Sequence, residues 1–172
     1  MSIATTIDIA NTNTLVCDVM DVHGEKARLL KPLFRNYGGR TQAHGSVRTI
    51  KCFEDSSKIH EILDADGRGC FLVVDGGGST RHSVLGGNMA LKAKANGWLG
   101  VIVNGCVRDV AELREVDIAI FALGACPRHS FKRGLGDIDV SVRFAGETIK
   151  PGNYMYADED GIVVADKSLH EE

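Results

Sequence analysis

Three short stretches rich in apolar residues most constrain how this chain can fold. They cover residues 70–74, 99–103 and 117–123. Such runs are typical of strands that are buried on both faces, and these strands occur where helices cover a parallel sheet. Between them, apolar residues recur at helical spacing. The alternation predicts an α/β fold.

The remaining elements extend this pattern toward both termini. Helices are predicted over about 14–21, 56–66, 85–96 and 109–116, with a further strand over 46–53. The last third instead has short strands over about 139–144, 147–149, 153–156 and 162–164, separated by glycine turns. We therefore expect a single compact domain over residues 1–172, with a mixed sheet, a C-terminal antiparallel meander and a flexible N-terminal segment over 1–13.

Composition excludes several classes of protein. A net charge of −3 over 172 residues provides no basic field for direct nucleic-acid binding. The N-terminus lacks the features of a secretory signal, and no apolar run is long enough to cross a membrane. The five cysteines lie far apart without a C-x-x-C pair, which predicts reduced thiols in a cytoplasmic protein.

An arginine and an aspartate stand side by side where the 99–103 strand gives way to a helix. These residues are Arg108 and Asp109. Ligands of α/β folds bind beyond the carboxyl ends of the strands. Arginine recognises carboxylates and oxyanions, and aspartate binds hard divalent cations. The pair suits chemistry on a keto acid, although Asp109 could instead cap its helix or form a local ion pair with Arg108.

A second turn also begins a helix, at Gly86, Gly87, Asn88 and Met89. Glycines at a helix start leave backbone N–H groups accessible, so they can bind a carboxylate or phosphate. The alternative interpretation is a tight turn that is required only by packing.

Other motifs favour structural roles. The glycine-rich turn 75–79 matches neither the Rossmann fingerprint nor the P-loop, so it is interpreted as a turn with positive φ angles. The basic residues Arg128, Lys132 and Arg133 are typical of a solvated loop. The acidic stretch 158–161 is interpreted as a hairpin turn. The six histidines show no metal-ligand spacing.

Several of these motifs occur together in one order. They are the glycine-rich turn within 73–79, Leu-Gly-Gly-Asn at 85–88, Asn-Gly-Cys-Val-Arg-Asp at 104–109 and Tyr-Ala-Asp-Glu-Asp-Gly at 156–161. From about residue 14 onward, the chain resembles the family that contains regulator of ribonuclease activity A and the 4-hydroxy-4-methyl-2-oxoglutarate aldolases.

The resemblance implies a fold of the swivelling β/β/α type, assembled as a homotrimer with sites near subunit boundaries. It also implies roles for the two turns. Gly86, Gly87, Asn88 and Met89 would bind a substrate carboxylate through their amides, with Arg108 holding the substrate and Asp109 a divalent metal ion. The ribonuclease regulators lack this aspartate. Several enzymes of the family have an aspartate at the position of Gly87, which this chain lacks.

The predicted function is that of a metal-dependent (class II) pyruvate aldolase. A 4-hydroxy-2-oxo acid would be cleaved with Mg²⁺ or Mn²⁺, and oxaloacetate would be decarboxylated through the same pyruvate enolate. Arg108 and Asp109 are the predicted catalytic residues. Because the Arg108 turn contains no histidine, a metal-held water is the expected base.

The alternative prediction is a non-catalytic trimer. Such a protein would bind a ribonuclease E-like RNA-processing enzyme or a helicase and regulate it. Arg108 and Asp109 would then be a structural pair.

Overall fold

A computed structural model describes residues 14–170, and the predicted flexible segment 1–13 lies outside them. The helices are α1 (Val16–His23), α2 (Ser57–Leu63), α3 (Gly87–Ala95) and α4 (Val110–Arg114). The strands are β1 (Arg28–Leu29), β2 (Arg35–Asn36), β3 (Ala43–Lys51), β4 (Cys70–Asp75), β5 (Ser83–Leu85), β6 (Gly100–Val107), β7 (Ala119–Ala125), β8 (Asp137–Ile138), β9 (Val142–Phe144), β10 (Glu147–Ile149), β11 (Tyr154–Ala157) and β12 (Ile162–Ala165).

One large mixed sheet organises these elements. Its strand order is β1-β12-β11-β3-β4-β6-β7-β2, with β5 added beside β6 and β8 beside β3. The neighbours β3, β4, β6 and β7 pair in parallel, whereas β11, β12, β1 and β2 pair antiparallel. The predicted α/β class with a mixed sheet is confirmed.

The apolar strands are buried on both faces, as their sequences predict. In β4, Leu72 and Val74 pack among residues of α2, α3 and α4. The alternating residues Phe71 and Val73 pack on the other face against the β9–β10 hairpin, within a cluster that includes Phe144. Successive residues of a strand point to opposite faces of the sheet. A strand that is covered on both faces therefore requires an apolar residue at every position.

The C-terminal meander differs from the prediction. Strands β9 and β10 form a separate two-stranded sheet, whereas β11 and β12 join the large sheet beside β3. The physical reason lies in the apolar face of the large sheet, which the β9–β10 hairpin covers with Val142, Phe144 and Ile149. The strands are antiparallel as predicted, but they do not form one continuous meander.

Strand β6 is longer than predicted, because it continues through residues 104–107. Cys106 and Val107 pair with β5 on one side and with β7 on the other. The pairing with β7 shifts register between Val103 and Cys106. These residues resemble a turn in sequence, yet two neighbouring strands hold them as an irregular continuation of the strand.

The glycine-rich turn after β4 has the predicted conformation. Gly77 and Gly78 have φ angles of 66° and 72°. The Asp75 carboxylate accepts hydrogen bonds from the Gly77 N–H group and from Asn104 Nδ2, both at 3.0 Å. The turn is thereby tied to β6.

The acidic stretch 158–161 is the hairpin turn between β11 and β12, as predicted, and it also anchors α1. Asp158 Oδ2 accepts a hydrogen bond from the Val16 N–H group at 2.9 Å, while Oδ1 accepts one from the Asp160 N–H group at 2.8 Å. Among residues 14–170, none of the helices combines the length and apolar character needed to span a bilayer.

We predict that Asp158→Ala lowers the free energy of unfolding by about 1–3 kcal/mol, because it leaves the buried Val16 N–H group without its acceptor. Urea denaturation measures this change. The control Glu159→Ala alters an exposed residue of the same turn and should change stability by less than about 0.5 kcal/mol. Equal midpoints for the two variants would contradict the anchoring role.

Candidate active site

A cleft of about 540 Å³ opens where β5 and β6 end. Leu85, the last residue of β5, pairs with Val107, the last residue of β6. The Arg108 N–H group donates to the Leu85 carbonyl oxygen at 3.0 Å. Two parallel strands thus end together, and the turns that follow them lie side by side. All six predicted site residues line this cleft: Gly86, Gly87, Asn88, Met89, Arg108 and Asp109.

A hydrogen bond joins the two turns. The Gly87 N–H group, at the start of α3, donates to Asp109 Oδ2 at 2.9 Å. Asp109 has left-handed backbone angles, φ 60° and ψ 43°, and its side chain makes no capping hydrogen bond to α4. The interpretation of Asp109 as the side-chain cap of its own helix is therefore wrong, and its carboxylate faces the other turn.

Arg108 and Asp109 do not form the local ion pair that was the other alternative. Within the described part of the chain, the half-buried Arg108 makes no salt bridge. Asp109 is exposed to solvent. A guanidinium group without an ion-pair partner in a cleft is available to an anionic ligand.

Charged side chains closely approach both glycines of the second turn. A Cβ on Gly86 would lie 2.7 Å from Asp109 Oδ2 and 3.4 Å from Arg108 Cγ. A Cβ on Gly87 would collide with Glu112 Oε2. The absent side chains leave room for three charged groups around this turn.

The amides of the glycine turn are not equally available. That of Gly87 is committed to Asp109. The N–H groups of Asn88 and Met89 have no hydrogen-bond acceptor among residues 14–170, and they lie in the first turn of α3. Such groups carry the positive end of the helix dipole. The part of the turn that can bind a carboxylate is therefore narrower than predicted.

The residues that sequence reasoning missed form a second wall of the cleft. They come from α2 with its preceding residue and from the segment 129–132: Ser56, His60, His129, Ser130, Phe131 and Lys132. Backbone hydrogen bonds fix this wall. The Ser83 N–H group donates to the Arg128 carbonyl at 2.8 Å, and that of Ser56 donates to the Phe131 carbonyl at 3.0 Å. The basic residues Arg128, Lys132 and Arg133 are exposed, as the interpretation as a solvated loop predicts, and Lys132 also lines the cleft. No local pattern indicates this wall.

The two carboxylates beside the glycine turn fit one type of cation. Asp109 and Glu112 stand three residues apart at the start of α4, and Glu112 is exposed. Across residues 14–170, three or more metal-ligating side chains nowhere come together. Mg²⁺ is commonly held by one or two carboxylates, with water and substrate completing its coordination. Asp109 with Glu112 fits that pattern, whereas a structural zinc site needs more protein ligands.

Comparison with known proteins identifies relatives that carry different names. A protein of Alkalilimnicola ehrlichii, provisionally named 4-hydroxy-4-methyl-2-oxoglutarate aldolase, is 51% identical over 152 residues, which cover 88% of this chain and 94% of the relative. The RNA-processing inhibitor RraA from Thermus thermophilis has a solved structure with 42% identity and a TM-score of 0.86, covering 89% of this chain and 93% of that one.

A third relative carries another name. The solved structure of a protein from Geobacillus kaustophilus, described as S-adenosylmethionine:2-dimethylmenaquinone methyltransferase, is 40% identical with a TM-score of 0.89 and covers 91% of this chain and 97% of that one. The family profile described as RraA-like (Aldolase/RraA) matches residues 13–164. This chain therefore belongs to the RraA-like (Aldolase/RraA) family.

Proposed function

We propose that this protein is a divalent-metal-dependent pyruvate aldolase that cleaves 4-hydroxy-2-oxo acids such as 4-hydroxy-4-methyl-2-oxoglutarate and decarboxylates oxaloacetate. The observation that carries the proposal is the convergence of Arg108, Asp109 and the first amides of α3 on one cleft. The aldolase name of the Alkalilimnicola ehrlichii relative supports it.

The residues divide the chemistry among them. The N–H groups of Asn88 and Met89 bind the substrate carboxylate at the positive end of α3. Arg108, which has no ion-pair partner among the described residues, stabilises the negative charge that develops on the keto oxygen as pyruvate enolate forms. Cleavage of an aldol and decarboxylation of oxaloacetate both produce this enolate, so one site serves both reactions.

Asp109 and Glu112 would hold Mg²⁺ or Mn²⁺. Such a cation supplies Lewis-acid polarisation of the 2-oxo group when bound. The Gly87 N–H group orients the Asp109 carboxylate through Oδ2, and Oδ1 accepts no hydrogen bond from residues 14–170.

Glu112 compensates for the glycine at position 87. Several aldolases of the family have an aspartate at the position of Gly87. The Cβ of that aspartate would lie where a Cβ on Gly87 would lie. In this protein, Glu112 Oε2 occupies that space. The acidic group therefore comes from α4, and the proposed site keeps two carboxylates.

We extend the proposal to the fold type, the oligomeric state and the cellular location of the protein. The chain forms a single domain of the swivelling β/β/α type and assembles as a cytoplasmic homotrimer with sites near the subunit boundaries. Membership of the family and the likeness to the Thermus protein support this extension.

A second candidate is regulation of RNA processing. The likeness to the RNA-processing inhibitor RraA favours a non-catalytic role in binding a ribonuclease or helicase. The two candidates make opposite predictions for Asp109, because a regulator needs no metal-dependent turnover.

We predict that Asp109→Asn lowers metal-dependent pyruvate release about 100-fold, because it removes the charge that holds the cation. Release is measured from 4-hydroxy-4-methyl-2-oxoglutarate and from oxaloacetate, with and without Mg²⁺ or Mn²⁺. Asp166→Asn, at an exposed residue after β12, serves as the control. Wild type and D109N with equal rates, or with none, would support the regulator instead.

We also predict that Glu112→Gln weakens Mn²⁺ binding by about 10- to 100-fold, because the cation loses its second carboxylate. Titration calorimetry with Mn²⁺ measures the affinity without any turnover. Glu115→Gln is the matched control, since Glu115 is an exposed acid at the C-terminal end of the same helix, whereas Glu112 is the acid whose carboxylate lies beside Gly87. Unchanged affinity in E112Q would refute this role for Glu112.

A further inference from the structure

The aldolase reaction requires a base that the Arg108 turn does not contain. Cleavage begins when the 4-hydroxyl group loses its proton, and the C3–C4 bond then breaks. The hydroxyl is carried by C4, beyond the bond that breaks. With the 2-oxo acid end of the substrate bound at Arg108 and α3, we place C4 among the residues of the second wall, which lines the same cleft.

His60 is the residue of that wall that is best placed to accept a proton. It lies in α2, where its backbone N–H group donates to the carbonyl oxygen of Ser56, the residue before the helix, and both residues line the cleft. His60 is half-buried. The structure gives its ring nitrogens no hydrogen-bond partner among residues 14–170, whereas Nδ1 of His129 is 2.9 Å from the Ser130 carbonyl oxygen.

The surroundings of His60 keep the imidazole neutral. Its pKa is lowered by burial first, and then by the positive charges of Lys132 and Lys92. Asp64 acts in the opposite direction, but its Oδ1 is paired with Lys92 Nζ at 2.9 Å. A histidine whose pKa lies below the ordinary value of about 6.5 is in its proton-accepting form at neutral pH.

We infer that His60, and not the metal-held water expected from the sequence, is the general base of aldol cleavage, an inference that rests on the proposed function. An imidazole nitrogen takes the proton of the 4-hydroxyl group, C4 becomes a carbonyl carbon, and the C3–C4 electron pair enters the pyruvate enolate. The enolate then takes a proton at C3 from the imidazolium, which regenerates neutral His60. Decarboxylation of oxaloacetate involves no hydroxyl proton, so its first step does not need this base.

A single variant should therefore affect aldol cleavage and oxaloacetate decarboxylation differently. We expect His60→Gln to lower kcat for aldol cleavage by about 10²- to 10⁴-fold, the range for loss of a general base, and to leave oxaloacetate decarboxylation little changed. His23→Gln in α1, which does not line the cleft, is the control for loss of a histidine. Circular dichroism and thermal unfolding verify that H60Q is folded.

The pH profile gives a second readout. In the wild type, kcat/KM for aldol cleavage should fall as the pH decreases through the pKa of His60, because the protonated ring cannot accept the proton. In H60Q this inflection should disappear, while the oxaloacetate profile is unaffected. Loss of both activities together, or of neither, would overturn the inference. A wild type inactive on both substrates would instead reject the proposed function, and the role of His60 with it.

Discussion

The hydrogen bond from the Gly87 N–H group to Asp109 Oδ2 is the interaction on which the site depends. It joins the turn after β5 to the turn after β6, and it fixes the first residue of α3 against the start of α4. Asp109 adopts a left-handed backbone that costs a non-glycine residue about 1–3 kcal/mol. Such strain persists where surrounding contacts determine the conformation, and it is characteristic of functional sites.

The charges around the glycine turn follow from that geometry. Arg108 and the first amides of α3 are positive, whereas Asp109 and Glu112 are negative, and the absent side chains of Gly86 and Gly87 bring these groups close together. An anionic keto acid would pair with the positive groups, and a divalent cation would pair with the two carboxylates. The fold alone does not decide between an aldolase and an inhibitor of RNA processing, because relatives of both names share it. The chemistry of the cleft favours the aldolase.

Much of the fold could be predicted because local pattern and burial agree. Strand β4 matches the predicted 70–74 run to within one residue, because every position is apolar and both faces are covered. Strand β5 could not be predicted, since its three residues carry too little pattern. Yet β5 explains why Gly86 and Arg108 meet across 22 positions of sequence, because the two strands end in register. The β9–β10 hairpin was assigned to the wrong sheet, because alternation reveals which residues are buried but not what they are buried against.

The sequence by itself determined the class of the fold and the two turns that carry Gly86, Gly87, Arg108 and Asp109, because glycine and adjacent charged residues at strand ends have strong local meaning. Only the tertiary structure decided that Glu112 fills the space beside Gly87, and that His60 and Lys132 line the same cleft. These side chains come from segments far apart in the chain, and nothing in their local sequence distinguishes them from solvated residues. Their proximity arises from the packing of α2, α3 and α4 on one face of the sheet, which no short-range pattern encodes.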